Sequence, residues 1–221
     1  MKTFALLSGG KDSFLACTIA LEQGFDVDLS VTAKAREYSM MFHFPNVSLA
    51  GTVSALLDIP NIMVEEDEVE RIFAELAHKG YQAIVAGAIA SEFQKTRLEE
   101  LCTANGLACF APLWRKNPVK ILQELINRGI RSIVVSVSAE GLGPEDLGRP
   151  IDKDFISYIE NKEKKYGLNP AGEGGEYESI VIGYESKTID IEESEVKWLG
   201  SGGYLRINKA RLTSTNPEST A

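Results

Sequence analysis

Residues 3–13 read T-F-A-L-L-S-G-G-K-D-S, and a helical pattern starts at Phe14. Residues 3–7 predict a buried strand that runs directly into a glycine-containing turn. Glycine has no Cβ and adopts positive φ readily, so the amides of Gly9 and Gly10 can converge on a phosphate oxygen. The N-terminus of the following helix adds partial positive charge. The stretch therefore predicts an α/β fold with a phosphate-binding turn after its first strand. The alternative is a strand-to-helix turn that binds no ligand.

The side chains of this turn suit an anion with several negative charges. Lys11 supplies a positive charge, and we expect it to face solvent, while Ser8 and Ser13 supply hydroxyl groups. No window of the sequence matches the Walker pattern G-x-x-x-x-G-K-[S/T], which disfavours a γ-phosphate kinase or NTPase. The form S-G-G-x-D-S instead resembles the PP-loop of N-type ATP pyrophosphatases. That resemblance implies that the turn grips the pyrophosphate of ATP while a nucleophile attacks the α-phosphate.

The composition is ordinary for a globular protein of 221 residues, and the net charge is −9. Negative charge disfavours sequence-independent binding to nucleic acid, because affinity for phosphate backbones is built from Lys and Arg. The three cysteines form no C-x-x-C pair, and with two histidines in the chain no zinc site is expected. No apolar run reaches the roughly 20 residues of a membrane span, and residues 1–7 predict a strand rather than a signal peptide. We therefore expect a cytoplasmic protein without membrane association.

Strand and helix patterns alternate over residues 1–139. Six apolar strand segments, of which 132–137 is the last, are separated by longer helical patterns. This alternation predicts right-handed crossovers and a doubly wound, mostly parallel sheet. Ligands of such sheets bind beyond the carboxyl ends of the strands, where the glycine turn is expected to lie. The sequence thus predicts a PP-loop ATP-binding domain over 1–139.

The pattern changes near residue 140, where glycine and proline become frequent. A helix is expected from Asp152, followed by short strands at 180–184, 188–191, 196–199 and 204–212. These elements predict a smaller C-terminal α+β substrate domain over 140–213. Residues 214–221 lack apolar anchors and are expected to be disordered.

The segment G-E-G-G-E-Y-E-S at 172–179 carries a second set of polar side chains. It places Glu173, Glu176 and Glu178 on a glycine-rich turn, where three carboxylates can converge on a cation or an amine. The alternative is a solvated acidic turn. A third candidate is the pair Gln94 and Arg97, which lie three residues apart and hence on one face of a predicted helix. For that pair the alternative is an exposed polar helix face.

Four segments occur in the same order and at similar separations as in the diphthine–ammonia ligase family, also described as predicted PP-loop ATPases or ATP-binding domain 4 proteins. They are S-G-G-K-D-S, G-A-I-A-S-E-F-Q-K-T-R at 87–97, P-L-W at 112–114 and G-E-G-G-E-Y-E-S. The resemblance extends from Phe4 to about Leu212. It implies a PP-loop domain joined to a distinctive C-terminal domain, and an enzyme that amidates diphthine on elongation factor 2. ATP and ammonium would be used, and AMP and PPi released.

Two small departures from the family do not disturb the resemblance. Thr96 replaces the more usual basic residue before Arg97, and Ser179 stands where Thr is common. The segment 40–43 also resembles a family segment. For His43 the alternatives are a role in the site and a structural histidine.

The resemblance implies an acyl-adenylate mechanism, which agrees with the chemistry of amide formation. A carboxylate becomes reactive toward ammonia only after it attacks the α-phosphate of ATP, because AMP is then its leaving group. Lys11 would neutralise charge on the departing PPi, and Asp12 would orient Mg²⁺ or cap the loop. The residues assigned to the β- and γ-phosphates are Ser8, Gly9, Gly10 and Ser13.

The remaining candidates divide between ATP and ammonium. A carboxylate cluster suits ammonium, the main form of ammonia at neutral pH, and can deprotonate it as it attacks. Glu173, Glu176 and Glu178 are the candidates for that task. Adenine is expected over the end of the second strand, near Val31, Thr32 and Ala33 and beside Gly87 and Ala88, with Gln94 and Arg97 as further ATP-binding candidates.

The cysteine and histidine content leaves no room for a glutaminase domain, so free ammonium is the expected nitrogen source. The same content disfavours the tRNA-thiolating PP-loop enzymes. Two alternatives remain open: a PP-loop ligase that amidates a different acid, and a non-catalytic ATP-binding regulatory module. The expected partners are elongation factor 2 carrying diphthine, ATP and ammonium. The sequence does not set the oligomeric state, and a homodimer is compatible with it.

Overall fold

The structure, a computed structural model, describes residues 1–34 and 46–214. The chain divides into two compact units, Met1–Arg115 and Lys116–Ala221. The segment 40–43, with the prediction for His43, lies outside the described residues, as do residues 215–221 of the predicted tail. In the described part of the chain, no helix has both the length and the apolar character needed to cross a membrane.

The first unit is built on a parallel sheet of five strands in the order β3-β2-β1-β4-β5. Strand β1 is central: β2 and β3 follow on one side of it, and β4 and β5 on the other. The direction in which successive strands are added therefore reverses beside β1, and ligands of such sheets bind at that point. This confirms the predicted doubly wound α/β class. The strands are β1 Lys2–Leu6, β2 Asp26–Lys34, β3 Asn61–Glu65, β4 Ala83–Val85 and β5 Ala108–Phe110, and the helices are α1 Lys11–Glu22, α2 Ala50–Ser54, α3 Val69–His78 and α4 Glu92–Ala104.

The central strand is buried on both of its faces. Phe4 is fully buried and meets Phe73 of α3 edge to face, with ring centroids 5.3 Å apart. On the opposite face of the strand, Ala5 and Leu7 are equally inaccessible to solvent. A strand covered on both faces reads as a continuous apolar run rather than an alternating one, which is the pattern of residues 4–7.

The spacing of Leu49, Val53, Leu56 and Leu57 predicts a helix after Pro45, and the helix in the structure is shorter. In the structure α2 covers only Ala50–Ser54, and short 3-10 turns flank it at Val47–Leu49 and Ala55–Leu57. The segment ends at Asp58, which has a φ of 58°. Gly51 and the β-branched Thr52 and Val53 are weak helix formers, so packing against the sheet rather than intrinsic propensity holds this element.

The second unit is a small antiparallel barrel with two helices. Strand β6 pairs antiparallel with both β7 and β9, which closes the barrel. Phe155 packs edge to face on Tyr177 at 5.4 Å between ring centroids. A side chain caps the N-terminus of each helix: Asn117 accepts the Lys120 backbone amide at 3.0 Å, and Asp152 accepts the Phe155 backbone amide at 2.9 Å. The elements are α5 Pro118–Asn127, β6 Arg131–Val137, α6 Lys153–Tyr166, β7 Tyr177–Tyr184, β8 Lys187–Trp198 and β9 Gly203–Ser214.

The structure corrects the sequence prediction at β6. This strand was expected to be the sixth of the parallel sheet, but it belongs to the antiparallel barrel. The chain accordingly divides after Arg115, whereas the prediction put the boundary after residue 139. The apolar run of residues 133–135 identifies a buried strand, but a buried strand has the same composition in either sheet.

A second correction concerns the strands predicted between residues 188 and 199. The strands predicted at 188–191 and 196–199 are one continuous strand, β8. Between them residues 192–195 are charged or polar and exposed, and the register with β9 shifts between Ile191 and Ser194. A bulge at an exposed position breaks the alternation of apolar residues without ending the strand.

Candidate functional site

The glycine turn of the first unit directly follows the central strand. The Leu7 amide still donates to the Val31 carbonyl at 3.0 Å, so the turn begins at Ser8. Gly9 has a φ of 91°, but Gly10 has a φ of −76° and a ψ of 160°, which is extended backbone. Only Gly9 therefore uses the positive φ that was considered for both. A Cβ at Gly9 would lie 3.6 Å from Ala50 Cα, so α2 runs alongside the turn.

The two serine hydroxyls brace the turn from within. Ser8 N donates to Ser13 Oγ at 3.2 Å, and Ser13 Oγ donates to the Gly10 carbonyl at 3.0 Å. Ser8 Oγ accepts the Gly10 amide at 3.3 Å and lies 3.1 Å from Ser13 Oγ. These bonds close the turn onto the first residues of α1. In this structure the hydroxyls predicted to contact phosphate serve the turn itself.

The N-terminus of α1 follows the turn directly. Its N-cap residue is Gly10, which has no side chain that could cap the helix. The first intrahelical bond runs from the Phe14 amide to the Gly10 carbonyl at 3.2 Å. The amides of the first turn and the helix dipole together favour negative charge at such an end. The position and local geometry both suit the predicted phosphate contact.

Lys11 is not solvent-facing, which corrects the sequence prediction. Its side chain is only 4% exposed, and its Nζ lies 2.9 Å from Asp12 Oδ2. Asp12 is 27% exposed, and its other oxygen, Oδ1, is buried with no hydrogen-bond partner. A buried carboxylate oxygen without a partner is costly, and a bound cation would satisfy it. Of the two roles expected for Asp12, orienting Mg²⁺ or capping the loop, the oxygen without a partner favours the first.

Gly87, at the exit of β4, approaches the phosphate turn very closely. A Cβ at this position would lie 2.5 Å from Ser13 N and 2.7 Å from the carbonyl carbon of Asp12. Only glycine fits such an approach without displacing the backbone of α1. The neighbouring Ala88 is buried. Gly87 thus lies beside the phosphate turn, and its absent side chain lets the two segments touch.

The residues predicted to lie near adenine form the end of β2. Val31 and Ala33 are buried and belong to the main apolar cluster of the unit. Thr32 is 1% exposed, and its hydroxyl donates to the Leu7 carbonyl at 2.5 Å. The side chains of this segment are thus engaged within the sheet and its core.

Gln94 and Arg97 lie on the first two turns of α4. The backbone N–H of Gln94 donates to the Ser91 hydroxyl at 3.3 Å, which caps the helix. The Arg97 guanidinium pairs with Glu70 of α3 and lies 3.7 Å from Glu100. Arg97 would have to exchange these partners in order to contact ATP, and the ion pairs fit the alternative of an exposed polar face.

The acidic turn of the second unit is organised around Glu176. Its Oε1 accepts the Asn169 amide at 2.8 Å, and its Oε2 is buried without a hydrogen-bond partner. Gly172 has a φ of 74°, and a Cβ there would lie 2.6 Å from the Tyr177 carbonyl oxygen. The glycines therefore allow the turn to fold back on itself, and Glu176 fastens it.

The three carboxylates of this turn do not converge on one metal ion. Within residues 1–34 and 46–214, no group of three or more His, Cys, Asp or Glu side chains could hold a metal. Glu178 lies within β7, opposite Ser136 of β6, whereas Glu173 lies on the turn before the strand. Of the three, Glu176 has the buried oxygen without a hydrogen-bond partner, which makes it the strongest ammonium candidate.

Sequence reasoning missed the polar side chains behind the phosphate turn. Asn61, at the start of β3, donates from its Nδ2 to Ser30 Oγ at 2.8 Å and to Thr32 Oγ1 at 2.9 Å. Ser30 and Thr32 alternate with Val31, which places both hydroxyls on one face of β2. That alternation was a visible signal, but the position of Asn61 depends on the pairing of β2 with β3.

Two family models match this chain. Residues 1–109 match the model described as the diphthamide synthase N-terminal domain. Residues 117–213 match the model described as the diphthamide synthase C-terminal domain. Together the two models account for nearly the whole chain.

Several curated relatives are named diphthine–ammonia ligase. The relative from Schizosaccharomyces pombe is 28% identical, over 99% of this chain and 40% of that protein. The relative from Bos taurus is 37% identical, over 60% of this chain and 52% of that protein. The relative from Homo sapiens is 29% identical, over 89% of this chain and 85% of that protein. The chain thus spans about half the length or less of the first two.

Proposed function

The chain belongs to the diphthamide synthase family, and on that basis we propose that it is a diphthine–ammonia ligase. The proposed reaction is ATP-dependent amidation of diphthine on elongation factor 2, with free ammonium as nitrogen source and AMP and PPi as products. The observation that carries this proposal is the S-G-G-K-D-S turn, which joins the carboxyl end of the central strand to the N-terminus of α1.

The first half of the reaction concerns the phosphates of ATP. The substrate carboxylate attacks the α-phosphate, a bond forms between its oxygen and phosphorus, and PPi leaves. Negative charge builds on the departing PPi. The backbone amides at the N-terminus of α1 and the Lys11 ammonium would stabilise that charge. Ser8, Gly9, Gly10 and Ser13 supply the surrounding turn. Positioning and electrostatics suffice for this step, so no strong base is required of the chain.

Asp12 is the candidate magnesium ligand, because its Oδ1 is buried without a hydrogen-bond partner. A hard divalent cation prefers carboxylate oxygens together with phosphate oxygens, and this residue lies beside the proposed phosphate contacts. When bound, Mg²⁺ would supply positive charge to those phosphate oxygens.

The rest of the proposed ATP site lies along the carboxyl edge of the sheet. We infer that adenine contacts the backbone at the end of β2, around 31–33, beside Gly87 and Ala88. Gln94 and Arg97 remain proposed contacts for ATP, and for Arg97 the contact requires release from Glu70.

The second half of the reaction is the attack of ammonia on the acyl-adenylate. Ammonium first loses one proton and becomes a nucleophile. A carbon–nitrogen bond then forms, AMP leaves with the electron pair of the carbon–oxygen bond, and the nitrogen loses a second proton to become the amide. We propose that Glu176 binds ammonium and accepts the first proton, that the second passes to solvent, and that Glu173 and Glu178 add negative charge. The buried Oε2 of Glu176 supports that choice.

The proposal is tested by AMP and PPi formation from ATP and ammonium, with elongation factor 2 carrying diphthine compared against a panel of small carboxylic acids. The expected result is AMP formation that depends on the modified factor. Equal turnover with a small acid would identify a ligase for a different substrate. ATP binding without AMP formation under any condition would identify a regulatory module. The proposed cytoplasmic location follows from this substrate.

A further inference from the structure

A network of hydrogen-bonded polar side chains, in which Ser30 and Thr32 are buried and Asn61 is half-buried, runs behind the S-G-G-K-D-S turn. It starts at Asn61, whose Nδ2 donates to Thr32 Oγ1 and to Ser30 Oγ. Thr32 Oγ1 donates onward to the Leu7 carbonyl at 2.5 Å. Ser30 and Thr32 are 0% and 1% exposed. The network therefore reaches from β3 across β2 to the last residue before the S-G-G-K-D-S turn.

The order of donors in this network is fixed by the chemistry of the groups. A threonine hydroxyl has one hydrogen to donate, and a backbone carbonyl can only accept. The amide group of Asn61 fills the acceptor side of the Thr32 hydroxyl, which leaves the single hydrogen of Thr32 for the Leu7 carbonyl. An acceptor in place of the Asn61 amide would compete for that hydrogen.

The Leu7 carbonyl is connected rigidly to the turn. It shares one planar peptide unit with the Ser8 amide, so fixing the carbonyl also fixes the direction of that N–H. The Ser8 amide in turn donates to Ser13 Oγ at 3.2 Å, the contact that closes the turn onto α1. The orientation of the turn thus depends on a hydrogen bond from outside it.

A second branch of the network reaches α2, which flanks the turn. Ser30 Oγ lies 2.8 Å from Ser54 Oγ, and Ser54 donates to the Ile59 carbonyl at 2.7 Å. Ser54 ends α2, whose Ala50 and Val53 pack beside Gly9. Asn61 therefore contacts both branches: through Thr32 it reaches the Leu7 carbonyl, and through Ser30 it reaches α2.

We infer that Asn61 is a positioning residue for nucleotide binding, acting through Thr32 on the peptide between Leu7 and Ser8. This inference rests on the proposed function in one respect, namely that the turn binds the phosphates of ATP. Asn61 itself does not touch the turn, and its effect is transmitted by the hydroxyl of Thr32.

The test measures binding of α,β-methylene ATP with Mg²⁺ by isothermal titration calorimetry, together with melting temperatures. Thr32→Val keeps the shape of the side chain but removes the hydroxyl, and Thr32→Ser keeps the hydroxyl. Asn61→Asp replaces the donor by an acceptor. The matched control is Thr3→Val, because Thr3 is also fully buried in the same sheet and donates to a main-chain carbonyl, that of Met1, at 2.9 Å.

We expect Thr32→Val and Asn61→Asp to weaken binding of the analogue about fivefold to tenfold, the effect of one net hydrogen bond. Thr32→Ser keeps the hydroxyl and should bind the analogue more tightly than Thr32→Val does. Thr3→Val should lower the melting temperature without weakening binding of the analogue. In turnover, the KM for ammonium should stay unchanged in all four variants.

Wild-type binding in both Thr32→Val and Asn61→Asp would overturn this inference and leave the proposed function intact. Equal weakening by Thr3→Val would also overturn it, because the effect would then be general loss of stability. If Thr32→Val does not fold, the Asn61→Asp result decides alone. A wild-type chain that does not bind the analogue would contradict the proposed function itself.

Discussion

Lys11 and Asp12 form an ion pair at the start of α1, in which the lysine is buried and the aspartate is partly buried. Lys11 Nζ lies 2.9 Å from Asp12 Oδ2, and the lysine side chain is almost fully covered. Removing one member of a buried pair leaves the other charge uncompensated, which destabilises more than the pair itself stabilises. A role in stability and a role in catalysis therefore have to be separated by experiment.

Lys11→Ala should lower the rate of AMP and PPi formation about tenfold or more, because positive charge beside the departing PPi is lost. It should also lower the melting temperature. The double variant Lys11→Met with Asp12→Asn serves as the control, since it removes both charges and keeps the volume. We expect it to recover much of the melting temperature but not the rate. Unchanged turnover in Lys11→Ala would remove the turn from the mechanism.

Gly87→Ala tests the close approach of β4 to α1. The new Cβ would lie 2.5 Å from Ser13 N, so the turn must move, at a cost of about 1–3 kcal/mol in unfolding free energy. Binding of the ATP analogue should weaken in the same variant. Gly51→Ala is the matched control, because a Cβ there makes only ordinary contacts and alanine favours the helix. Denaturant titrations measure the unfolding free energy, and calorimetry measures binding of the analogue. Equal values for the two variants in both measurements would show that the close approach is not needed for ATP binding.

At the scale of elements, the first unit was largely predictable because each of its signals is local. The apolar run at 3–7 and the glycines after it act within a few residues of where they stand. The burial of Lys11 was not predictable, since it depends on segments distant in sequence that pack around the turn. Asn61 was missed for the same reason, because its partners lie on β2.

Glu176→Gln separates the two roles of the acidic turn. Glutamine keeps an oxygen that can accept the Asn169 amide, so the turn should persist, but the charge is lost. We expect amide formation to slow at low ammonium and to recover at high ammonium, while binding of the ATP analogue stays unchanged. Glu163→Gln, an exposed position on α6, is the control. Wild-type ammonium dependence in Glu176→Gln would return the turn to a purely structural role.

A hydrogen bond in the second unit should give a measurable alkaline transition. Tyr158 of α6 donates to Asp146 Oδ2 at 3.0 Å, and Asp146 also accepts from the Gly143 amide and from Arg149. Burial and then this hydrogen bond raise the pKa of Tyr158 to about 12. Since the usual pKa is about 10, the folded state holds the proton longer than the unfolded state.

The stabilisation from this bond is complete below about pH 10 and is lost as the pH rises toward about 12. Tyr158→Phe should therefore be less stable than wild type at neutral pH, and the difference should shrink over that interval. Urea titrations at a series of pH values measure it. Stability curves that run parallel for the two proteins up to pH 12 would contradict the expectation.

At the scale of the whole molecule, the sequence predicted the family and both fold types but not where the chain divides. Strand β6 carries the same apolar pattern as the strands of the parallel sheet, and only its pairing with β7 and β9 assigns it to the barrel. Pairing partners of a strand are set by the complete fold, whereas burial is visible in composition. The four segments that point to the family lie on both sides of the division after Arg115.

The most direct test of the central claim is a single-turnover reaction of the chain with ATP, ¹⁵N-ammonium and elongation factor 2 carrying diphthine. Mass spectrometry of the modified peptide counts the new amide, and chromatography of the nucleotides counts AMP. The account predicts one ¹⁵N atom in the diphthine side chain for each AMP formed, with no AMP when the factor is left out. ADP and phosphate as products, or AMP formation without label in the factor, would contradict it.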